Sequence, residues 1–385
     1  MPLVSAGTGF QIVRVRCLAT PMRARFRELI RLILCSCGLA TGKVALAQLP
    51  DSSGTGTLIG LVSIKDAAVP LPFSVVSITR LQREQFTDER GRFRVGDLPA
   101  GSVRLRIRHV GYSPADTDVV VRAGVTDTIR IALSRIAVRL TAMQVRAYPE
   151  CITPGPPPAT DTAFTTIFEQ LKQNAEQFRL LATKYPFIYA VERTTSTLLG
   201  GVDLRRDVVD TITLMSDSQW QYSPGTVVVQ EKVRGRSAGP VTMRIPTLAN
   251  FADSLFIANH CFFNGGLETV DSRALLRVDF VAASALKDPD VDGSMFLDPT
   301  TFQIRRSFLH LSKTPRIVPD VTGTEATTIF AELFPSVPVI ATVQSINYLR
   351  TTSRRYRAPT QTREDQQLIA VEFLRNKPGE DVKKP

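Results

Sequence analysis

Histidine often serves as a base or a metal ligand in proteins, so the three histidines are the first candidates for chemistry. They are His109, His260 and His310 in a chain of 385 residues. The residues after them are Val-Gly-Tyr, Cys-Phe-Phe and Leu-Ser-Lys, so no histidine has a glutamate three positions later, and no His-Glu-x-x-His motif occurs. Hydrolysis at a zinc ion needs such spacings. The sequence therefore predicts no zinc hydrolase site.

His260 stands directly before Cys261, an arrangement in which a histidine could activate a cysteine nucleophile. The next two residues, Phe262 and Phe263, are apolar, and a cysteine of an exported protein is more commonly bridged than free. We therefore predict no catalytic residue, no cofactor and no enzyme activity. The alternative is an accessory or cryptic enzyme subunit, associated with a peptidase or with carbohydrate processing, whose site the sequence does not reveal.

Two of the five cysteines are candidates for a disulfide. The other three lie in the N-terminal segment that is expected to be removed on export. Cys151 and Cys261 remain, and two cysteines in an exported protein are a natural pair. The other interpretation is two separate buried thiols.

Three aspartates at alternate positions, Asp288, Asp290 and Asp292, are followed by Gly293. This pattern matches the first half of a calcium loop, in which alternate carboxylates converge on one cation and glycine makes the turn. The twelfth position of such a loop is Pro299, where a bidentate glutamate is needed. The aspartates are thus a weak calcium candidate, and a solvated acidic turn between two strands is the favoured interpretation.

Arginines concentrate between residues 80 and 108. Arg104, Arg106 and Arg108 alternate with apolar residues, so they share one face of a predicted strand. That face could bind the phosphates of lipopolysaccharide or an acidic partner, although a solvated strand face has the same pattern. Few aromatic residues are interleaved with the arginines, which argues against single-stranded nucleic acid as a partner.

The arginine-rich strand belongs to a region, residues 54–147, in which short alternating runs are separated by turns rich in glycine, proline and aspartate. Short strands at such spacing are typical of a seven-stranded type of β-sandwich. About 90 residues are enough for one modest core. The predicted strands are 57–65, 73–79, 92–95, 103–109, 119–122 and 128–133.

Several motifs of this region agree with one known domain family. They are Gly60-x-Val62, Thr87-Asp88-x-x-Gly91-x-Phe93-x-Val95, Leu98-x-x-Gly101 and Gly111-Tyr112. With these motifs the region resembles the carboxypeptidase regulatory-like domain, a transthyretin-like sandwich. The resemblance covers about a quarter of the chain. It implies an accessory module, of the kind found on secreted enzymes and ahead of TonB-dependent receptors, that does not itself hydrolyse a substrate.

The N-terminal segment has the order of a secretory signal. Four arginines between residues 23 and 31 are followed by an apolar run at 32–40 and an Ala-x-Ala site that ends at Ala47. This order predicts a signal peptide at residues 1–47, with the true start at Met22 as an option. The alternatives are an ordinary amphipathic helix and a lipoprotein anchored at Cys37.

Charge and hydropathy are consistent with an exported protein. The chain has 47 basic and 36 acidic residues, of which seven and one lie in residues 1–47, leaving a formal charge of +5 after cleavage. This mildly basic balance does not indicate a nucleic-acid binder. No later stretch approaches the roughly 20 apolar residues of a membrane-spanning helix. We expect a protein of the periplasm or the outer-membrane periphery, whose partner is an envelope protein or an outer-membrane component.

The chain changes character after the sandwich. Prolines at residues 148–160 exclude helix and predict an extended linker. Apolar residues at helical spacing then predict a helix that begins at Asp161 or the next residue and ends before Pro186. Alternating strands follow, so we predict an α+β domain at 161–376, with one long helix against a curved antiparallel sheet. Residues 377–385 are charged and predicted to be disordered.

One hairpin of this domain, from Asp292 to Ile304, has two strands joined by an Asp-Pro-Thr turn. It is similar to a hairpin of the lipoprotein-carrier half-barrel superfamily and of outer-membrane-associated bacterial domains. The resemblance implies a curved sheet. Together with the accessory module, the expectation is a non-enzymatic cell-envelope protein that binds a protein partner or an apolar ligand.

Overall fold

The structure, a computed structural model, consists mainly of antiparallel β-sheet with one long helix. It describes residues 54–138, 149–199, 202–230, 241–316, 320–350 and 360–380. The predicted signal peptide, its cleavage site at Ala47 and the alternative lipid site at Cys37 lie outside these ranges. Among the described residues, no helix combines the length and the apolar character needed to cross a membrane.

Seven strands form two sheets in the N-terminal region, which confirms the predicted β-sandwich. They are β1 (Thr55–Ile64), β2 (Val75–Ile78), β3 (Arg83–Phe86), β4 (Arg92–Pro99), β5 (Gly101–Arg108), β6 (Ala115–Val121) and β7 (Thr126–Leu133). In the first sheet β1 pairs antiparallel with β4 and parallel with β7. The second sheet has the order β3, β2, β5 and β6 and is antiparallel throughout.

The core of the sandwich follows from the alternation of side chains along a strand. In β5 the apolar residues Val103, Leu105 and Ile107 are buried between the sheets, and the arginines between them lie on the opposite face. Phe93 of β4 lies directly over Gly60 of β1, where a Cβ atom would come within 2.1 Å of the ring. Glycine and phenylalanine in the two motifs are therefore one packing unit.

The second domain is one long helix on a nine-stranded antiparallel sheet, which confirms the predicted class. Its elements are α1 (Thr162–Lys184), β8 (Phe187–Leu199), β9 (Val202–Met215), β10 (Val228–Gln230), β11 (Val241–Met243), α2 (Ser254–Ala258), β12 (His260–Val270), β13 (Arg273–Ala282), β14 (Val291–Leu297), β15 (Ile304–Leu311), β16 (Val321–Phe334), β17 (Val337–Leu349) and β18 (Gln361–Phe373). Strands β12 to β18 form a meander, and β8 and then β9 continue the sheet beyond β18. The short strands β10 and β11 pair only with each other among the described residues.

Helix α1 begins where the sequence predicts. Asp161 is its N-cap, and the carboxylate accepts a hydrogen bond of 2.9 Å from the backbone N–H of Phe164. Asn174 lies fully buried in the middle of the helix. Its amide donates to the carbonyl of Phe302 (2.9 Å) and accepts from the N–H of Ile304 (3.0 Å), which ties the helix to the turn between β14 and β15.

The predicted disulfide between Cys151 and Cys261 is present, with a Cα–Cα distance of 5.5 Å. Two backbone hydrogen bonds lie beside it. The N–H of Gly155 donates to the carbonyl of His260, and the N–H of Ser284 donates to the carbonyl of Cys151, each at 2.9 Å. The described part of the predicted linker is therefore fixed along the start of β12.

The two domains share a small apolar core. Aromatic and aliphatic side chains from both meet there. Its buried members are Phe73, Val75 and Phe86 of the sandwich and Leu180, Leu181, Tyr185, Phe187 and Val337 of the second domain. Burial of each such side chain contributes roughly 1.5–3 kcal/mol, so the sandwich is held by more than the covalent linker.

Gly111 lies where the sandwich touches the turn before β15. Its φ is +84°, and a Cβ atom there would come within 2.8 Å of the carbonyl oxygen of Thr301. Its N–H donates a hydrogen bond of 2.7 Å to Gln170 Oε1 of α1. Only glycine combines this left-handed conformation with so close an approach.

The structure describes residues 377–380 of the predicted tail. Pro378 and Gly379 are buried, and Gly379 packs closely on Asp88 of the sandwich. The turn is closed by a 2.9 Å hydrogen bond from Lys377 N–H to Glu380 Oε2. Residues 381–385 lie outside the described ranges.

His109 is a buried polar contact between the domains. Its Nδ1 lies 3.2 Å from Ser74 Oγ of the sandwich, and its Nε2 lies 3.1 Å from Ser336 Oγ of the second domain. The ring also meets Tyr112 edge-on, with 5.2 Å between centroids. Burial lowers the pKa of His109 to about 4. The folded protein therefore holds this histidine neutral.

We expect acid to destabilise the protein through His109. The pKa of this histidine is 6.5 in the unfolded chain and about 4 in the folded protein. Between these values the unfolded state binds more protons, so the free energy of unfolding decreases as the pH is lowered. The expected loss across this window is roughly 3 kcal/mol. Urea unfolding near neutral pH and near pH 4 measures it, with His109→Gln as the control that cannot be protonated. Equal acid sensitivity in both proteins would contradict this role.

Candidate functional site

An apolar cleft lies between the C-terminal half of α1 and one end of the large sheet. Strands β8, β9, β17 and β18 form its floor, and Phe178 contributes from the helix. The other apolar lining residues are Phe187, Tyr189, Val191, Leu214, Val339, Ile340, Ala341, Val343 and Leu368. They come together because antiparallel pairing places opposite residues on one face, as for Leu368 opposite Val191.

A chain segment between β9 and α2 closes one end of the cleft. Thr247 Oγ1 donates to Gln219 Oε1 at 3.1 Å, and Thr247 N–H donates to Asn250 Oδ1 at 2.8 Å. The cavity in this closed arrangement measures about 50 Å³. Ligand pockets usually measure about 300–1,000 Å³, so a larger ligand needs this segment or the helix to move away.

The lining of the cleft offers little acid or base chemistry. Among the described lining residues there is no carboxylate, histidine, cysteine or lysine. Tyr189 is the one titratable group in this set, and burial raises the pKa of its hydroxyl. A tyrosine held in its neutral form contributes apolar surface and a polar tip, not a base.

A polar cluster lies beside the cleft on β8, β9 and β18. Gln366 Nε2 donates to Glu364 Oε1 at 2.6 Å, and Arg193 Nε donates to Asp210 at 2.9 Å. Burial raises the pKa of the Glu364 carboxyl. Of these four residues, Gln366 alone lines the cleft. The cluster therefore supplies a polar border and not a pair of converging carboxylates.

A second polar group is sealed inside the domain. Tyr222 donates its hydroxyl hydrogen to Asp290 Oδ2 at 2.6 Å, and burial together with this bond raises the pKa of Tyr222. His260 Nε2 lies 3.5 Å from Asp290 Oδ1. Both His260 and Asp290 have no exposed surface, so no substrate reaches them. This group stabilises the fold.

The three aspartates of the predicted calcium loop do not converge. Asp288 is exposed and lies near Gly225, while Asp290 is buried against Tyr222. Asp292 Oδ1 accepts a hydrogen bond from the N–H of Ala282. Within the described ranges, no three His, Cys, Asp or Glu side chains are grouped as a metal site. The carboxylates belong to strand and turn contacts.

The three arginines of the predicted anion-binding face have different surroundings. Arg104 is exposed, and Arg106 forms a long ion pair of 3.6 Å with Asp116. Arg108 is largely buried at the domain interface, where it pairs with Glu84 at 2.9 Å and with Glu176 of α1. The face is therefore divided between solvent and the contact with the second domain.

A serine motif lies in the sequence between β10 and β11. Residues 235–239, Gly-Arg-Ser-Ala-Gly, fit the spacing of a hydrolase nucleophile turn. Such a turn joins a strand to a helix in an α/β sheet. Here the motif joins β10 to β11, which pair antiparallel as a hairpin, and Ser237 itself lies outside the described residues. The flanking strands do not provide the context that this chemistry requires.

Sequence patterns do not reveal the cleft residues, because they look like any alternating strand residues. A stripe of buried polar residues on α1 gives a clearer signal. Gln170, Gln173, Asn174 and Gln177 recur at helical spacing and are all at most 7% exposed. Polar residues on the packed side of a helix mark places where it meets backbone or a second domain instead of an apolar core.

The comparisons with known proteins identify the first domain. Residues 57–134 match the family model of the carboxypeptidase regulatory-like domain, which confirms the resemblance carried by its motifs. This match does not extend into the second domain. No curated protein sequence matches the chain.

Solved structures resemble parts of the chain at low identity. A minor pilin from Streptococcus agalactiae is 21% identical over 24% of this chain and 49% of its own, with a TM-score of 0.21. The chain thus spans about half the length of that pilin. A domain assigned as an outer membrane lipoprotein-sorting protein, from Vibrio parahaemolyticus, is 12% identical over 54% of this chain and 93% of its own, with a TM-score of 0.27. A LolA superfamily protein from Nitrosomonas europaea is 10% identical over 56% of this chain and 97% of its own, with a TM-score of 0.28. Each of these two structures is similar to this chain over a little more than half of its length.

Proposed function

We propose that this is a non-enzymatic, exported protein of the cell envelope that binds an apolar ligand, or an apolar segment of a protein partner, in the cleft of its second domain. The observation that carries the proposal is the composition of the cleft. Aliphatic and aromatic side chains line it, and the polar ones at its border are mainly amides and hydroxyls. Such a surface can hold an apolar group but offers no nucleophile or general base.

Two further features support the proposal. The first domain matches a family of accessory modules. The disulfide of Cys151 and Cys261 is the kind of bond that persists in an oxidising compartment such as the periplasm. The ligand enters when the segment that carries Gln219 and Thr247 moves away from the sheet, because the closed cavity of about 50 Å³ has room for only a small part of an acyl chain.

Filling the cleft should weaken the binding of an uncharged apolar probe. N-phenylnaphthylamine, whose fluorescence rises in apolar surroundings, is expected to bind the wild-type protein. Leu368→Trp places a larger ring in the cleft and should weaken this binding at least about tenfold, which corresponds to about 1.4 kcal/mol. The matched control is Ile369→Trp, because Ile369 is the next residue of β18 and is 52% exposed.

The fluorescence titration is read together with thermal unfolding of each variant. Overfilling a packed site commonly costs about 1–3 kcal/mol of stability. The binding of the two variants is compared on condition that both still unfold cooperatively. If the wild type does not bind the probe, or if both tryptophan variants lose it equally, the cleft is not the ligand site.

A further inference from the structure

A second, larger hollow lies between the two domains and shares no lining residue with the apolar cleft. Its volume is about 1030 Å³, close to the upper limit of small-molecule sites. One wall is the sandwich, with Arg106 and Arg108 of β5 and the segment from Arg135 to Val138. The other wall is one face of α1 from Thr162 to Glu176, which includes the buried Gln170 and Gln173. We call this hollow the interdomain groove.

The walls of the interdomain groove carry donors that nothing in the described structure satisfies. Gln173 is only 7% exposed, and its Nε2 has no hydrogen-bond partner among the described residues. The buried Nε of Arg108 is likewise without a partner in the described part of the chain. A buried N–H without a partner costs about 1–3 kcal/mol, so such groups usually meet water or a ligand. Both unsatisfied groups are donors, so the missing partner must offer acceptor oxygens.

The groove has more basic than acidic side chains. Four basic side chains line it against two carboxylates. Each carboxylate already has a cation, since Glu169 pairs with Lys172 at 3.1 Å and Glu176 pairs with Arg108. Arg106 pairs with Asp116, outside the groove, at 3.6 Å. Arg135 pairs with no carboxylate among the described residues and lies 5.7 Å above the ring of Tyr112, so the excess of positive charge rests mainly on Arg135.

We infer that the interdomain groove binds a small anion that carries phosphate or carboxylate oxygens. Arg135 supplies charge, while Gln173 Nε2 and Arg108 Nε supply directed hydrogen bonds. Bidentate and charge-assisted bonds of this kind are the ones that recognise such groups. Because residues of both domains form the walls, a bound anion also stabilises the docking of the sandwich on α1.

Titration calorimetry with pyrophosphate and with citrate, at fixed ionic strength, tests the inference. We expect saturable binding of at least one of them, and the stronger of the two assigns the ligand to phosphates or to carboxylates. Gln173→Leu and Arg135→Gln should each weaken binding about tenfold, because each removes one directed or charged contact. Arg108 is left unchanged in this test, because its ion pairs join the domains.

Two matched controls separate this site from general electrostatics. Gln177→Leu changes another buried glutamine of α1 with an unpartnered amide that does not line the groove. Arg104→Gln removes a charge from the same strand as Arg106, outside the groove. Both should bind the anion as the wild type does. Absence of saturable heat with either anion at millimolar concentration, or equal weakening by the control variants, would overturn the inference.

Discussion

Replacing Cys151 and Cys261 together by alanine is expected to lower the free energy of unfolding by several kcal/mol. The bond spans 110 residues, and closure of a loop of this length is worth roughly 4–5 kcal/mol on the chain-entropy model. The stabilisation acts mainly through the unfolded state, because the bond holds the two ends of this loop together and so restricts the unfolded chain. Removal of native disulfides typically costs about 2–5 kcal/mol, so the expected decrease lies in that range.

Urea unfolding with and without reductant measures this effect. The wild type should lose stability when reduced, and the double alanine variant should be insensitive to reductant, which makes it the matched control. Hydrogen exchange should also quicken at residues 149–160, although Gly155 and Ser284 keep their backbone bonds to the neighbouring chain. Two free thiols in the purified native protein, or equal stability of the oxidised wild type and the variant, would refute the disulfide's role.

The sandwich is the part of the fold that the sequence predicts best. Its signals are local: the alternation of Val103, Leu105 and Ile107 sets the buried face of β5, and glycines set the turns. The helix can be predicted from the sequence equally well, because Asp161 caps it and its apolar residues recur at helical spacing. These features depend on neighbours within a few residues, which a sequence pattern contains.

The docking of the two domains does not follow from such patterns. Phe73 and Phe86 lie in the shared apolar core, but each reads as an ordinary strand or turn residue. Arg108 has the same alternation as Arg104 and yet meets Glu176, 68 positions away in the chain. Whether an alternating residue faces solvent or another domain depends on tertiary contacts, which one sequence does not encode in its period.

The candidate sites are hidden for the same reason. The cleft combines α1 with four strands that are distant in the chain, and its residues carry no chemical signature. The three aspartates have the opposite character, because their spacing suggests a shared cation while the fold separates Asp288 from Asp290. Spacing constrains a site only when the local backbone is that of the motif, and here strands replace the helices of a calcium loop.

Replacing Asp290 by alanine should lower the free energy of unfolding about as much as loss of the disulfide. Asp290 is fully buried and accepts hydrogen bonds from Tyr222 at 2.6 Å and from the N–H of Val291 at 2.9 Å. His260 beside it has Nδ1 2.8 Å from the carbonyl of Phe256 and Nε2 3.1 Å from the carbonyl of Val291. The imidazole is therefore held between two backbone carbonyls, next to the carboxylate of Asp290.

His260 and Asp290 lie side by side in the interior, with 3.5 Å between Nε2 and Oδ1. The ring of Phe256 is stacked on the imidazole with 3.9 Å between centroids. Replacing Asp290 by alanine removes the acceptor of both the Tyr222 hydroxyl and the Val291 N–H, and both donors are buried. A buried donor without a partner typically costs about 1–3 kcal/mol, so a decrease of about 2–6 kcal/mol is expected for Asp290→Ala.

The matched control for Asp290→Ala is Asp288→Ala, two residues earlier on the same loop. Asp288 is exposed, so its replacement should change the free energy of unfolding by no more than about 0.5 kcal/mol. Tyr222→Phe removes only the donor hydroxyl, and a double-mutant cycle with Asp290→Ala should give a coupling of about 1 kcal/mol or more. Urea unfolding of the four proteins supplies these values. A small loss in Asp290→Ala, similar to that in Asp288→Ala, would mean that the buried contacts of Asp290 do not stabilise the fold.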